Sequence, residues 1–437
     1  MVPILSSNDT EALRARVMNR SQLTHDDLTE RVKAIIARVR AEGDKALIDY
    51  TERFDHVTLT PDTIEVSRAE IEAAYSAASP EWLEAMREAA RRIRAFHEKQ
   101  KQVTWVDFRP EIALGQRITP LRRVGVYVPG GTAAYPSSVL MNVIPAKVAG
   151  VKEIVMVTPP GRDGGTSSPL ALVAADLAGV DRVFRIGGAQ AIAALAFGTE
   201  TVPRVDKITG PGNIYVALAK REVYGHVGID MVAGPSEVLV IADDSANPRW
   251  VAADLLSQAE HDPFAAAILV TDSRALAEAV DAELARQTAL LPRSEVVEKS
   301  LGAYGAIVVC TDLDTCAAIA GEIAPEHCEL CVRDPYGLMP KVENAGALFL
   351  GHWSPEPLGD YLAGPNHILP TSGTARFSSP LGVDDFVKKS SIICCTEDEL
   401  RKVSEQVMLL ARSEGLDAHR NAVAIRFGRE LGREEQP

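Results

Sequence analysis

A strand-helix-strand pattern decides the fold of this chain: Glu237-Val-Leu-Val-Ile-Ala242, then a helical stretch over residues 247–260, then Ala267-Ile-Leu-Val-Thr271. Both short runs are almost continuously apolar, which is typical of strands in a parallel sheet that is covered on both faces. The same texture of apolar runs and helical stretches begins near residue 124 and extends to residue 350. It predicts an α/β protein with parallel sheets.

The other predicted elements follow the same periodicity. Further strands are predicted at 125–128, 153–158, 182–186, 306–309 and 347–350, and further helices at 137–149, 168–179, 189–197, 213–224, 274–286 and 313–323. Upstream, residues 26–53 and 67–100 have helical spacing, with interruptions near Gly43 and Pro80. A capping box, Thr396-Glu-Asp-Glu399, predicts the start of a last helix that stops near Gly415.

Length and charge restrict the class of protein. At 437 residues the chain is long enough for two or more domains, and 46 basic against 60 acidic side chains give a net charge of −14. This acidic balance argues against a nucleic-acid partner. Charged residues occur too close to the N-terminus for a signal peptide, and no uninterrupted apolar run reaches the roughly 18 residues of a membrane span. We therefore expect a cytoplasmic protein with no membrane association.

The stretch from Asp360 to Phe386 has neither helical nor strand period, although loops beyond about 12–15 residues are uncommon unless they are functional or disordered. Its apolar side chains favour a packed loop over a disordered one. It also carries Asp360, His367 and Arg376. A packed loop with a carboxylate, an imidazole and a guanidinium predicts a site of chemistry.

Two motifs offer further groups. In Leu256-Ser-Gln258-Ala-Glu-His261-Asp-Pro263, Gln258 and His261 are three apart on one predicted helix face, and with Asp360 and His419 they could form a nitrogen and oxygen site for zinc or a similar ion. A lone histidine at a helix end can equally be a cap or a surface residue. The motif Ala324-Pro-Glu326-His327 places an acid and an imidazole at the end of a parallel sheet, as an acid/base pair or as a salt-linked pair.

The glycine-rich turns and the cysteines are less specific. The turns Pro129-Gly-Gly131, Gly187-Gly188 and Gly210-Pro-Gly212 could hold a phosphate at a helix N-terminus or could be tight turns, and none is a Gly-x-Gly-x-x-Gly fingerprint. Cys328-Glu-Leu-Cys331 predicts a strand whose two thiols point to opposite faces. It therefore does not predict a cysteine metal site.

Several motifs taken together resemble the histidinol dehydrogenase family over about residues 25 to 425. They are Tyr127-Val-Pro-Gly-Gly-Thr, Gly187-Gly-Ala-Gln190, Gly210-Pro-Gly-Asn213, Gly234-Pro-Ser236-Glu, Ser257-Gln258-Ala-Glu-His261-Asp, Ala324-Pro-Glu326-His327 and Gly364-Pro-Asn-His367. The resemblance implies a zinc- and NAD-dependent enzyme, with one zinc ion per subunit. Such an enzyme oxidises L-histidinol through L-histidinal to L-histidine in the last steps of histidine biosynthesis.

The resemblance also implies roles for individual residues. The implied zinc ligands are Gln258, His261, Asp360 and His419. The implied substrate contacts are Ser236, Gln258, His261, His327, Asp360, Glu414 and His419, and the implied NAD contacts are Tyr127, Gln190 and Asn213. Glu414 and His419 would be donated by the other subunit of an intertwined homodimer. His327 would act as the base for the hydroxyl proton, and Glu326 would activate the water that hydrates the aldehyde.

The fold implied by the resemblance is a pair of incomplete Rossmann-like parallel-sheet domains, one inserted in the other, with helical N- and C-terminal arms. The implied boundaries are an N-terminal arm at 1–25, a domain at 26–126 and 237–381 with most zinc and substrate ligands, an inserted NAD-side domain at 127–236, and a C-terminal arm at 382–437 that docks on the partner subunit.

Two alternatives remain at the level of sequence. One is a dehydrogenase on the same scaffold for another polar alcohol, such as a sulfonated diol, because fold alone does not fix the substrate. Against it stand Glu414, His419 and His367, which suit an imidazole-bearing amine. The other is an assembly protein in which zinc only clamps two subunits; structural zinc sites are normally thiolate-rich and need no acid/base pair such as Glu326 and His327.

Overall fold

The structure is a computed structural model that describes residues 2–9, 16, 26–130, 135–161 and 167–429. Most of the predicted N-terminal arm at 1–25 lies outside the described residues, as does Gly131. The chain divides into two compact units, the first formed by Met1–Lys101 with Leu121–Phe386 and the second by Gln102–Pro120 with Val387–Pro437. The boundaries predicted for four segments stay a prediction.

The secondary structure alternates as the apolar runs predict. The strands are β1 (Ile4–Ser6), β2 (Trp105–Phe108), β3 (Ile112–Pro120), β4 (Arg123–Tyr127), β5 (Glu153–Val157), β6 (Arg182–Phe184), β7 (Lys207–Thr209), β8 (Gly228–Ile229), β9 (Glu237–Ala242), β10 (Ala266–Thr271), β11 (Ala306–Val309), β12 (His327–Cys331), β13 (Ala347–Leu350) and β14 (Val387–Cys395).

Helices connect most of these strands. They are α1 (Asp26–Glu42), α2 (Asp44–Asp55), α3 (Pro61–Ile64), α4 (Arg68–Ala74), α5 (Pro80–Glu98), α6 (Pro136–Ala149), α7 (Pro169–Ala178), α8 (Gly188–Phe197), α9 (Ile214–Val223), α10 (Pro248–Ala259), α11 (Arg274–Thr288), α12 (Ser294–Tyr304), α13 (Leu313–Ile323), α14 (Pro335–Leu338), α15 (Glu356–Tyr361), α16 (Glu397–Ser413) and α17 (Asp417–Ala424).

The first unit contains two parallel sheets, with strand orders β1-β11-β10-β9-β12-β13 and β6-β5-β4-β7-β8. Every residue of β9 and β10 is buried, because the two faces of their sheet pack into two different apolar clusters. Cys328 belongs to one cluster and Cys331 to the other, as the strand alternation requires. The predicted α/β class with parallel sheets is confirmed.

The helix interruptions are confirmed as well. Gly43 separates α1 from α2 with φ +56°, and Pro80 is the first residue of α5. The longer strands β2, β3 and β14 were not predicted, and their residues are mostly exposed or half-buried rather than apolar and buried. Strand β1, which pairs with β11, and the short strands β7 and β8 were not predicted either. Strands of two or three residues are too short to establish a period. Helix α12 was not predicted either, nor was α15 at the start of the loop 360–386.

The second unit is built on an antiparallel sheet with the order β14-β3-β2. The side chain of Thr396 accepts a hydrogen bond from the backbone of Glu399 at 3.3 Å, so the predicted cap of α16 is present. This helix ends at Ser413, and Gly415 follows it with φ +70°. The chain then forms α17, which carries His419 and was not predicted.

None of the helices in the described ranges combines the length and the apolar content that a membrane span requires.

Candidate active site

The candidate site lies at the amino ends of β9 and β12 in the first unit. His327 is the first residue of β12 and is paired with Val238 on β9 and with Ala347 on β13. Glu326 directly precedes it. Open α/β sheets usually bind ligands at their carboxyl ends, so this site uses the opposite edge. The predicted acid and imidazole are side by side at an end of the sheet, as expected, but the expectation that this is the end where open α/β folds bind ligands is wrong.

His327 is held in one tautomer. Its side chain is buried, and Nδ1 lies 3.0 Å from the backbone carbonyl oxygen of Glu237. A carbonyl oxygen only accepts, so Nδ1 carries the proton and donates it. Nε2 has no hydrogen-bond partner among the described residues and lies 3.9 Å from Oδ1 of Asp360. Burial lowers the pKa of His327, and this favours a neutral ring whose Nε2 lone pair is free to accept a proton.

Glu326 is a buried acid beside this base. One of its oxygens, Oε2, accepts the backbone N–H of Glu237 at 2.9 Å and lies 3.8 Å from Nδ1 of His327. Burial is the largest cause of a pKa well above the usual range, and the charges of Glu237 and Asp360 raise it further. A raised pKa makes the carboxylate a stronger base once it has lost its proton.

Asp360 is presented by the last turn of α15 and is fixed there by the loop that follows. Its backbone carbonyl oxygen accepts a hydrogen bond from Nδ1 of His367 at 3.0 Å. The other ring nitrogen of His367 pairs with the hydroxyl of Ser138 on α6 at 3.2 Å, so this hydroxyl is the donor. Burial lowers the pKa of His367, which keeps the ring neutral. His367 therefore positions the backbone that carries Asp360.

Gln258 lies in the last turn of α10 and is completely buried, yet neither its amide oxygen nor its amide nitrogen has a hydrogen-bond partner among the described residues. An unpartnered buried amide costs free energy, so such a group is expected to have a ligand. His261 lies two residues beyond the helix in a turn where its N–H donates to the carbonyl of Gln258 at 3.1 Å. It is exposed, and it lies close enough to His327 and His367 to interact with both electrostatically.

The loop from Asp360 is mostly irregular and mostly packed, as predicted. Ile368, Leu369, Leu381, Val383 and Phe386 are buried, although Phe377 is 81% exposed. A cleft of about 970 Å³ opens beside the loop and is lined by His327, Asp360 and His367. The size is suited to a small ligand. The predicted lid motion of this loop stays a prediction.

The residues predicted to contact NAD lie at the carboxyl ends of the other sheet. Tyr127 ends β4, is buried, and accepts the N–H of Gly188 on its hydroxyl at 3.2 Å; burial raises its pKa to about 12. Gln190 is buried in α8, and Asn213 is the exposed N-cap of α9, where its side chain accepts the N–H groups of Tyr215 and Val216. Two helix N-termini therefore meet this edge, and the NAD contacts assigned to these residues stay a prediction.

The remaining predicted substrate contacts divide between the units. Ser236 is half-buried just before β9 and shares a side-chain hydrogen bond with Glu326. Glu414 and His419 belong to the second unit and are exposed. The first unit thus brings together Ser236, His261, Glu326, His327 and Asp360. Gln258 adjoins this group through the backbone hydrogen bond to its carbonyl from His261.

Several residues around the site were not predicted from the sequence. Glu356, on α15, has a carboxylate oxygen within 4.8 Å of ligand atoms of both His327 and Asp360. Glu237 closes the motif Gly234-Pro-Ser236-Glu, but nothing in that motif indicates that its backbone contacts both Glu326 and His327. Glu329 could have been found, because an acid in the apolar strand Cys328-Glu-Leu-Cys331 contradicts the pattern around it.

The chain is similar to known proteins over nearly its whole length. The family model described as histidinol dehydrogenase matches residues 18–427. The chain is 56% identical over 412 residues to a histidinol dehydrogenase of Caldanaerobacter subterraneus, covering 94% of this chain and 95% of the relative. It is 55% identical over 415 residues to one of Geobacter sulfurreducens, covering 94% and 96%. The crystal structure of histidinol dehydrogenase from Elizabethkingia anophelis is similar, with a TM-score of 0.92, 38% identity and coverage of 98% of each chain.

Proposed function

Because the chain belongs to the histidinol dehydrogenase family, an NAD-dependent oxidoreductase family of histidine biosynthesis, we propose that the residues around His327 carry out both oxidations of L-histidinol with zinc bound beside them. The family places this chain as an oxidoreductase that acts on L-histidinol. It supports that substrate over a sulfonated diol. The single observation that carries the proposed site is the buried His327, whose free Nε2 faces Asp360.

The donor set fits a zinc ion. Gln258, His261 and Asp360 of one subunit would hold it with His419 of the partner subunit, through oxygen and nitrogen atoms that suit zinc. The best support is the buried amide of Gln258, which has no partner within the described protein. Zinc, when bound by these residues, would hold the substrate and so orient its carbinol carbon.

The first oxidation uses His327 as the base. Its neutral ring presents Nε2, which takes the hydroxyl proton of the substrate as the C–H hydride leaves. Tyr127, Gln190 and Asn213 would hold NAD⁺, which would supply the acceptor for that hydride. The hydrogen bond from Nδ1 to the carbonyl of Glu237 stabilises the ring as it becomes charged. The products are L-histidinal, NADH and a proton on His327.

The second oxidation needs water, and Glu326 is the proposed base for it. Its carboxylate, made a stronger base because burial raises its pKa, would remove a proton from water as the oxygen adds to the aldehyde carbon. The protonated His327 would at the same time give the proton of the first step to the carbonyl oxygen, which returns the ring to its neutral form. The resulting gem-diol then loses its hydride to a second NAD⁺ and a proton to His327, giving the carboxylic acid. Ser236 contacts Glu326 and would keep its carboxylate directed at the water. The burial of both groups limits the access of bulk water to the aldehyde.

The proposed active unit is a homodimer. Glu414 and His419 are exposed on this chain, and nearby on α16 Leu409 and Leu410 are 66% and 64% exposed. Large exposed apolar side chains beside polar ligand types are expected where a second subunit packs. His419 and Glu414 of the partner subunit would then complete the zinc and substrate site.

A mixed dimer tests this arrangement. Chains carrying Gln258→Ala and His419→Ala are co-produced with different tags, and the mixed dimer is isolated by both tags. If His419 is donated across subunits, one site of the mixed dimer has both ligands intact, and about half of the wild-type activity returns while each parent homodimer stays inactive. A mixed dimer as inactive as its parents would show that each chain supplies its own His419.

A further inference from the structure

Glu329 is an acidic residue that is buried in an apolar strand. It lies two residues after His327 on β12, so both side chains point to the same face of the sheet. It is 1% exposed. Among the described residues no lysine or arginine forms an ion pair with it. A buried carboxyl group without a cation is destabilising unless other contacts satisfy it.

The contacts of Glu329 lead to the elements that carry the predicted metal ligands. Its Oε1 accepts the backbone N–H of Glu356 at 2.7 Å, and Glu356 is the first residue of α15, the helix that presents Asp360. A carboxylate is favoured at this end of a helix, where backbone N–H groups are otherwise unpaired. Glu329 thus fixes where α15 begins, one turn before Asp360.

On its other side, Glu329 shares a side-chain hydrogen bond with Asp254 of α10. Asp254 lies one turn before Gln258 on that helix. Burial raises the pKa of Asp254 to about 6 and raises the pKa of Glu329 well above its usual value, so a proton is retained between the two carboxyl groups. The pair therefore connects β12 to α10 without a net charge of −2.

A second contact joins the two helices directly. The hydroxyl of Ser257 on α10 donates to Oε2 of Glu356 on α15 at 3.2 Å. Three elements are in this way held together behind the site: β12 with His327, α10 with Gln258 and α15 with Asp360. Glu329 lies on β12, and its side chain contacts both α10 and α15.

We propose that Glu329 is a positioning residue, which sets the distance between Gln258 and Asp360 and so the affinity of the site for its metal. This inference rests on the proposed zinc site. Gln258 and Asp360 lie on separate helices about a hundred residues apart in sequence, and neither helix alone determines the spacing of the two ligands. Outer contacts that orient metal ligands typically change affinity about 10–100-fold.

Two variants at this position separate the hydrogen bond from the side-chain volume. Glu329→Gln keeps an oxygen that can accept the N–H of Glu356, whereas Glu329→Met has a similar size and no such acceptor. Zinc affinity is measured on the full-length protein by competition with a chromophoric chelator. We expect Glu329→Gln to bind zinc nearly as the wild type does and Glu329→Met to bind about 10–100-fold more weakly.

Cys331→Ala provides the matched control. Cys331 is on the same strand and face, and its thiol lies within 4.8 Å of the carboxyl groups of Asp254 and Glu329. It is expected to lower the melting temperature of the metal-free protein and to leave zinc affinity unchanged. A merely structural role for Glu329 would make Glu329→Met behave like this control. Unchanged zinc affinity in a folded Glu329→Met protein would overturn the proposal.

A measurement on the wild type covers the case in which Glu329→Met does not fold. Because linkage is reciprocal, zinc binding must stabilise the contact that supports it. Zinc should therefore slow amide hydrogen exchange in residues 356–361, and exchange that zinc leaves unchanged would also contradict the proposal. If the wild type binds no zinc, or if Gln258→Ala binds as well as the wild type, it is the proposed metal site that fails.

Discussion

Nδ1 of His327 lies 3.0 Å from the backbone carbonyl oxygen of Glu237, and this contact leaves Nε2 as the free nitrogen of the ring. An asparagine at position 327 can place its amide nitrogen near Nδ1 and keep the hydrogen bond, but it has no basic atom at Nε2. We expect His327→Asn to lower kcat by about 10²–10⁴-fold while zinc affinity changes little. Steady-state kinetics and a chelator competition measure the two effects. A kcat close to that of the wild type would exclude His327 as the base.

Glu326→Gln tests whether Glu326 acts only in the hydration of the aldehyde while His327 acts in both oxidations. The amide oxygen can still accept the N–H of Glu237, but the side chain cannot act as a base. We expect the first NADH to form at nearly the wild-type rate and the second to be slowed by about 10²-fold or more. A single-turnover experiment with excess NAD⁺ resolves the two phases. If both phases slow equally, the role proposed for Glu326 in hydration is wrong.

Gln258→Met is expected to separate stability from function. In the metal-free protein the buried amide of Gln258 has no partner among the described residues, and an apolar side chain of similar size removes that cost of about 1–3 kcal/mol. Chemical denaturation in the presence of a chelator should therefore show a variant at least as stable as the wild type. Added zinc should stabilise the wild type and not the variant. Equal stabilisation of both would mean that Gln258 is not a ligand.

Gly210 is expected to be essential to the turn that precedes Asn213. Its φ is +113°, and an added Cβ would lie 2.1 Å from the carbonyl oxygen of Tyr127. Asp230 accepts the N–H of Gly210 at 2.8 Å, and the buried Lys220 donates to its carbonyl at 3.0 Å. Gly210→Ala should therefore lower stability and raise the KM for NAD⁺.

Gly225→Ala is the control for this change. Gly225 has φ +99°, and within the described part of the chain no residue beyond its own neighbours comes within 4 Å of the place that an added Cβ would take. The substitution should cost only the backbone strain of about 1–2 kcal/mol and leave the KM for NAD⁺ unaltered. If the two alanine variants show the same KM and the same stability, the close packing of Gly210 on Tyr127 has no functional consequence.

Asp254 gives a pH dependence of stability with a defined sign. Burial raises its pKa from 3.8 to about 6 on folding, so the native state binds more protons than the unfolded state between these values. The contribution of Asp254 is favourable at low pH and is lost as the pH rises from about 4 to about 6. In Asp254→Asn, the decrease in stability that the ionisation of Asp254 causes between about pH 4 and about pH 6 should be absent. Melting curves of both proteins from pH 4 to pH 7 provide the test, and parallel curves would contradict it.

Much of this architecture follows from the sequence because buried parallel strands are apolar throughout. The apolar runs that form β9, β10 and β11 could be predicted as strands without any knowledge of tertiary contacts. The family motifs brought together the residues near His327, and the strand predicted at 328–331 already put Glu326 and His327 at its amino end. The sequence did not indicate that β12 lies between β9 and β13. That placement depends on how the sheet is connected over long distances in sequence.

The contacts that organise the site were harder to predict for a physical reason. Glu237 acts through its backbone, and backbone atoms are the same in every residue. Glu329 and Glu356 act through contacts between α10, α15 and β12, and such contacts have no fixed spacing in the chain. Helix α15 itself is only six residues long, so its period was too short to distinguish from the irregular loop that follows.

We propose that NAD⁺ oxidises L-histidinol in two steps, with His327 and Glu326 as bases and a zinc ion bound beside them. The decisive experiment mixes the zinc-loaded protein with limiting L-histidinol and excess NAD⁺ and measures NADH by its absorbance, beside a chelator-treated sample. We predict two NADH for each L-histidinol, loss of the reaction on chelation and its return with added zinc. Full activity in a sample shown to be free of metal, or a single NADH for each L-histidinol, would contradict the proposed reaction.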